Sequence, residues 1–340
     1  MTAKIKPGYD TERKKLSEII PISTPFTLFI TPAQVCNFKC FYCTQHKRSE
    51  EKKRIGFASQ LLDFDVFLKI ANQAAEFPDK FKRVLLTGLG EPLMNKRIPE
   101  MVSTLSRLEV AEKYEIFTNA YLLSHDMSDR LLDAGLTRLR ISIQGVSAEK
   151  YREVCDTDID FNRLLDNIRY FYERKGDCTI YIKIIDAGLN DKRDEERFFS
   201  LFGEMCDDIF VEHFVKAQPS MIGDYSTKAD SSFTFYGEKT QHREICPYMF
   251  YTLQTDAQGN VFPCPPLGLP RSFSLGNVND QTLMEIWNGN KLRDLRLAHL
   301  THNRDDYPVC GMCECYLAFT PEEDNLDNDT GMLIEKIQRG

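Results

Sequence analysis

The sequence predicts an α/β fold: an open (βα)6 partial TIM barrel followed by a small cysteine-rich C-terminal domain. Two observations carry this. Six short β-rich runs alternate with longer stretches of helical periodicity, a pattern that builds a mainly parallel sheet through right-handed crossovers. After residue 245 the alternation stops, and five of the chain's 11 cysteines crowd into what remains.

Residues 1–25 are polar and read as an irregular lead-in. Strands are then expected at Phe26–Thr31, Arg83–Thr87, Glu115–Thr118, Leu139–Ile143, Cys178–Ile185 and Asp208–His213. Helices fall near 60–76, 97–108, 126–134, 160–174 and 193–205; in the first, Leu62, Phe64, Phe67, Leu68, Ile70 and Ala71 follow helical spacing. Six units are too few to close an eight-stranded barrel, so residues 26–214 form an open, curved one. Its site lies at the C-terminal strand ends, where such folds bind ligands. Residues 215–245 lack clear periodicity and read as a linker. Residues 246–316 form the second domain. Within it, Thr252–Thr255 and Asn260–Pro263 flank the turn composition Asp256-Ala257-Gln258-Gly259, and a helix follows at about 281–299. Residues 317–340 are a tail, acidic at first and amphipathic at its end.

The net charge of −8 argues against nucleic acid or an anionic membrane as partner. No run approaches the ~20 apolar residues of a membrane span, and Met1 to Asp10 does not read as a signal peptide. The expected location is cytoplasmic, where 11 cysteines serve better as metal ligands, reactive thiols or small hydrophobes than as disulfides.

Cys36-Asn37-Phe38-Lys39-Cys40-Phe41-Tyr42-Cys43 has the spacing C-x3-C-x2-C, just past the first strand. Three thiolates can hold three irons of a [4Fe–4S] cluster and leave the fourth open to a small chelating molecule. A zinc site completed by His46 is the alternative. The second strand ends in Thr87-Gly88-Leu89-Gly90-Glu91-Pro92. Its glycines allow close backbone approach to a ligand, and Glu91 offers an acceptor for an ammonium group. Later, Cys246, Gly259 and Cys264 give C-x12-G-x4-C, and Cys310 and Cys313 give C-x2-C. Four such cysteines suit a closed four-ligand site for either zinc or a [4Fe–4S] cluster.

In these motifs the chain resembles the radical S-adenosylmethionine (SAM) superfamily, with a C-terminal extension similar to the SPASM and twitch auxiliary-cluster domains. The resemblance runs over residues 26–316 and includes Leu275-Gly276-Asn277-Val278 and Glu285-Ile286-Trp287-Asn288. It implies one [4Fe–4S] cluster on Cys36, Cys40 and Cys43 that binds SAM, and one auxiliary [4Fe–4S] cluster on Cys246, Cys264, Cys310 and Cys313. The full SPASM pattern uses more cysteines than the five found here, so a single auxiliary cluster is expected. By the same resemblance Tyr42 packs near the adenine of SAM, and Gly88, Gly90, Glu91 and Pro92 form the motif for its amino group. Asn119, Ser142, Gln144 and Lys183 sit at further strand ends as polar contacts.

The implied chemistry is a 5′-deoxyadenosyl radical that takes a hydrogen atom from the substrate, with a flavodoxin or ferredoxin as electron donor. Loss of a further electron and a proton gives a dehydrogenase; return of a hydrogen atom from a thiol gives an epimerase. Cys155, where many relatives carry an arginine, and Cys315 are candidate donors. Glu212 and His213 are candidate proton carriers. With about 25 residues ahead of the first strand, and with Tyr181–Phe214 similar to radical SAM proteins of sugar pathways, a carbohydrate-type small molecule is the expected substrate. Peptide or protein side-chain modification is the alternative, and a non-catalytic metal-binding module is the competing class.

Overall fold

The computed structural model describes residues 1–9, 12–54, 57–215, 229–230, 232–266, 268–319 and 321–339. Its strands are β1 (Lys4–Ile5), β2 (Thr27–Ile30), β3 (Arg83–Leu86), β4 (Tyr114–Thr118), β5 (Arg138–Ile143), β6 (Thr179–Ile185), β7 (Asp208–Glu212), β8 (Thr252–Thr255), β9 (Asn260–Phe262) and β10 (Gly276–Asn277). The helices are α1 (Leu16–Ile19), α2 (Ser49–Arg54), α3 (Phe64–Ala75), α4 (Ile98–Arg107), α5 (His125–Asp133), α6 (Ala148–Cys155), α7 (Phe161–Arg174) and α8 (Lys192–Phe202). The C-terminal part adds α9 (Leu283–Trp287), α10 (Asn290–Leu300), α11 (Pro308–Gly311) and α12 (Thr330–Arg339).

The strands form one open ten-stranded sheet in the order β1-β7-β6-β5-β4-β3-β2-β8-β9-β10. The pairs from β2 to β7 are parallel. Strand alternation separates two faces. Outward residues such as Val84, Leu86, Leu139, Ile141, Ile180 and Ile182 are buried beneath the helices. The inward face carries polar residues instead. Glu115, fully buried, lies 3.6 Å from both the Arg83 and Arg140 guanidinium groups and closes the barrel floor with opposite charges. Above that floor, Phe117, Ser142, Lys183 and Ile185 line a cavity at the C-terminal strand ends.

The helices follow local chemistry. Asp63 caps α3 by accepting from the Asp65 and Val66 amides, and Phe67, Ile70, Ala71 and Ala74 form its buried stripe.

Three features of the sheet edge and the C-terminal part depart from the sequence expectation. The lead-in is not wholly irregular: Lys4 and Ile5 pair in parallel with β7 at the sheet edge. The helix expected at 281–299 is two, because α9 ends before Gly289, which caps α10 in an extended conformation. The C-terminal hairpin does not stand apart from the barrel: β8 pairs in parallel with β2, and Trp287 donates from Nε1 to the Ile22 carbonyl at 3.1 Å. Part of the expected linker, residues 216–228 and 231, lies outside the described residues.

Candidate active site and auxiliary cysteine centre

The chain leaving β2 runs over the strand ends as the cysteine loop, and neighbours on several sides brace it. The Glu91 amide donates to the Val35 carbonyl at 2.9 Å. The Lys39 and Phe41 amides donate to the Cys155 and Val154 carbonyls of α6 at 3.0 and 2.9 Å. Buried Gln45 donates its amide to the Gln34 carbonyl at 3.2 Å and to the Leu89 carbonyl. So held, Cys36, Cys40 and Cys43 all face a cavity of about 410 Å³.

Burial makes ionisation of these thiols costly: Cys36 and Cys40 are pushed well up, and desolvation with the neighbouring Cys40 raises Cys43 to about 11. A bound cationic centre reverses that cost, so metal loading and thiol deprotonation go together. Among the described residues, no three His, Cys, Asp or Glu side chains converge tightly enough for one metal ion. Three thiols spread around one cavity fit a broader cluster, since each sulfur meets a different iron.

The glycine motif does something the sequence did not reveal. A Cβ on Gly88 would overlap the Thr31 side chain, and one on Gly90 would overlap the Ala33 and Val35 carbonyl oxygens. The close approach is thus to the cysteine loop itself. Gly90→Ala is expected to destabilise the protein by about 1–3 kcal/mol, read by chemical unfolding, because backbone must shift to admit one methyl group.

Glu91 lines the cavity, and its carboxylate already has partners within the protein. Its Oε1 accepts from the Leu93 amide at 3.0 Å and the Thr118 hydroxyl at 2.6 Å, and its Oε2 accepts from the Asn119 amide at 2.8 Å. The carboxyl ties the β3 loop to the end of β4. Burial pushes it up to about 7 against the pull of those three donors. Pro92 opens a short 3₁₀ turn behind it and is not among the cavity residues.

The other expected polar contacts gather on the wall. Asn119 donates to Asn37 Oδ1 at 2.9 Å and faces Cys36. Tyr42 donates to Gln144, whose own amide donates to the Ser142 carbonyl at 3.0 Å. Lys183 reaches the cavity but is paired with Glu212.

That pairing draws Glu212 away from the cavity. Glu212 is buried, holding both Lys183 and the Tyr181 hydroxyl, and does not line the cavity. Its neighbour His213 does line it, with Nδ1 3.0 Å from Asp186 Oδ2. Asp186 Oδ1 is fixed by the Phe214 amide at 2.9 Å. Asp186 carried no sequence signal of its own. Cys155 is displaced too: fully buried on α6, it lies behind the loop with Sγ 3.5 Å from Cys40 Sγ and is not a cavity residue.

The second cysteine set encloses a small pocket of about 20 Å³, lined by Cys246, Cys264, Cys310 and Cys313 together with His299, Arg304 and Tyr316. Gly259, at φ 80°, turns the hairpin that carries Cys264. Arg304 braces the C-x2-C turn, donating to the Cys310 and Cys313 carbonyls at 2.6 and 2.8 Å. Cys315 is buried outside this pocket and its thiol donates to Cys313, which brings Cys313 down to about 7. Sequence spacing found the four cysteines but missed His299 and Arg304, which lie outside any motif.

An open partial barrel with three thiols at its mouth and a cysteine-lined annex defines an iron–sulfur enzyme built on an α/β scaffold. The chain belongs to the radical SAM superfamily: that family's model matches residues 30–197, and a model described as an iron–sulfur cluster-binding domain, SPASM, matches residues 246–315. Its cofactors are a [4Fe–4S] cluster with SAM and a SPASM auxiliary cluster.

A GTP 3′,8-cyclase of Staphylococcus haemolyticus is 27% identical over 48% of this chain and 47% of that protein. The chain spans about half the length of the curated relatives it matches. Among solved structures, SAM-bound SuiB of Streptococcus suis is similar in fold, with a TM-score of 0.60, 16% identity, and 83% of this chain and 70% of that chain covered. BtrN with AdoMet and 2-DOIA gives a TM-score of 0.52 at 15% identity, covering 85% and 92%. Among the described residues, no helix is long and apolar enough to cross a membrane.

Proposed function

We propose that this radical SAM enzyme dehydrogenates a carbohydrate-type small molecule. The observation that carries this reading is the distribution of thiols. Among the described residues, the main cavity exposes only the three cysteines of the cluster loop, whereas Cys155 and Cys315 are buried elsewhere. An epimerase needs a thiol at the substrate to return a hydrogen atom. The second cavity meanwhile has four cysteines, enough to close a cluster that exchanges electrons and holds no substrate.

The first cluster and SAM supply a 5′-deoxyadenosyl radical. An auxiliary cluster held by Cys246, Cys264, Cys310 and Cys313 would supply a one-electron acceptor, so an alcohol that had given up a carbon-bound hydrogen atom would lose one electron and its hydroxyl proton and become a carbonyl compound. His213 suits the base, since Asp186 holds Nδ1–H and leaves Nε2 as acceptor. Lys183, Ser142, Gln144 and Asn119 offer polar groups for SAM and a hydroxylated substrate. The carbohydrate class rests on the sugar-pathway resemblance of Tyr181–Phe214.

The cyclase relatives favour a second reading, nucleotide chemistry at the same cavity. To separate them, the reconstituted enzyme with SAM and dithionite is given sugars and aminocyclitols, GTP, or peptides. Deoxyadenosine release and products are followed by mass spectrometry. Substrate-dependent release with a two-hydrogen mass loss from a polyol supports the proposal; turnover of GTP or a peptide alone overturns it. With the active polyol, His213→Gln is expected to retain SAM cleavage and lower carbonyl formation about 10²-fold or more.

A further inference from the structure

His299 lies on α10 with 2% of its surface exposed, and neither Nδ1 nor Nε2 has a hydrogen-bond partner. Its ring lines the same small pocket as Cys246, Cys264, Cys310 and Cys313, among Met249, Leu269 and Phe273. A buried imidazole with both nitrogens unpaired is costly, and native interiors rarely keep such a group without a purpose. The cation there, Arg304, already donates to the Tyr316 hydroxyl and to the Cys310 and Cys313 carbonyls. The four thiolates complete the coordination of a [4Fe–4S] cluster, so the imidazole has no iron to bind. It does have an N–H, and the sulfur atoms of a cluster filling the pocket are acceptors.

We propose that His299 donates a hydrogen bond from its imidazole to a sulfur of the auxiliary cluster, and thereby raises the potential at which that cluster accepts an electron. Reduction adds negative charge to the cluster sulfurs, so a donor fixed beside them stabilises the reduced state more than the oxidised one. Under the proposed dehydrogenation, this makes the auxiliary centre a better acceptor for the electron of the substrate radical. The hydrogen bond itself requires only the cluster, whatever the substrate.

The test uses full-length protein with Cys36, Cys40 and Cys43 changed to alanine, so that only the auxiliary cluster is observed by electron paramagnetic resonance. His299→Leu is expected to shift its midpoint potential to more negative values, and His299→Gln, which keeps an N–H donor, to shift it less. Iron content should be equal in all three. In reduced holoenzyme with native Cys36, Cys40 and Cys43, labelled with ¹⁵N-histidine, pulsed measurements should show a weak nitrogen coupling and an exchangeable proton. These wild-type signals stand even if His299→Leu fails to load iron. Equal potentials for wild type and His299→Leu, no nitrogen coupling, or zinc in place of iron overturns the proposal. A strong nitrogen coupling also overturns it, by making His299 a ligand. None of these readouts depends on substrate, so failure here leaves the dehydrogenase reading to its own test.

Discussion

Cys43→Ala is expected to abolish deoxyadenosine release and lower bound iron from about eight to about four per chain after anaerobic reconstitution. If each loop cysteine holds one iron, loss of one thiolate would leave a second corner of the cluster open to solvent. The surrounding loop keeps its bonds to α6 through Lys39 and Phe41, so the variant should remain folded. Iron, sulfide and deoxyadenosine are measured on one sample. Unchanged release would mean that residues 36–43 do not carry the catalytic cluster. Retention of four irons would report the auxiliary centre independently, because its cysteines lie in a separate cavity.

The second large effect concerns stability. Glu91→Ala removes the acceptor for the Leu93 and Asn119 amides and the Thr118 hydroxyl, all buried. At about 1–3 kcal/mol for each orphaned donor, with partial relaxation, the loss is about 3–6 kcal/mol. The unfolding temperature should fall by about 4–8 °C. Glu91 also brings a pH dependence. Its folded value of about 7 lies above the reference value of 4.5. Its contribution is therefore complete below about pH 4.5, declines as pH rises toward 7, and is flat beyond. The stability gap between wild type and Glu91→Ala should narrow by about 3 kcal/mol across that window. Urea unfolding at several pH values checks it; a gap that widens with pH would show that the clamp prefers the anion.

The barrel was legible because its strands are β-branched runs between amphipathic helices, and all six inner strands occur within about a residue of their expected ends. The cysteines were legible because covalent spacing alone brings three sulfurs into one loop. Other features depended on partners distant in sequence. Lys4 and Ile5 become a strand only because β7 offers an open edge, and α6 was missed although Ser147 caps it. Glu212 looked like a proton carrier until folding gave it Lys183 and Tyr181, while His213, one residue further on, turned to the cavity. Glu212, level with Ile185 at the end of β7, is drawn down to the inward-facing Lys183 and Tyr181, and His213 follows just past the strand. His299 could not be found at all: a lone histidine in a helix reads as an ordinary core residue until its pocket is known.

The parallel pairing of β8 with β2 has a mechanical meaning. Thr27 to Ile30 run beside Thr252 to Thr255, and the Thr31 amide continues the ladder to the Thr255 carbonyl at 3.0 Å. One strand leads into the first cysteine loop; the other leads into the turn before Cys264. The two cysteine sets thus follow adjacent strands, whereas His213 follows β7, five places from β2 in the sheet, and still faces the cavity of the first set. The spacing between the two cysteine sets is therefore held by a continuous backbone ladder, and a shift of one strand would carry the other with it.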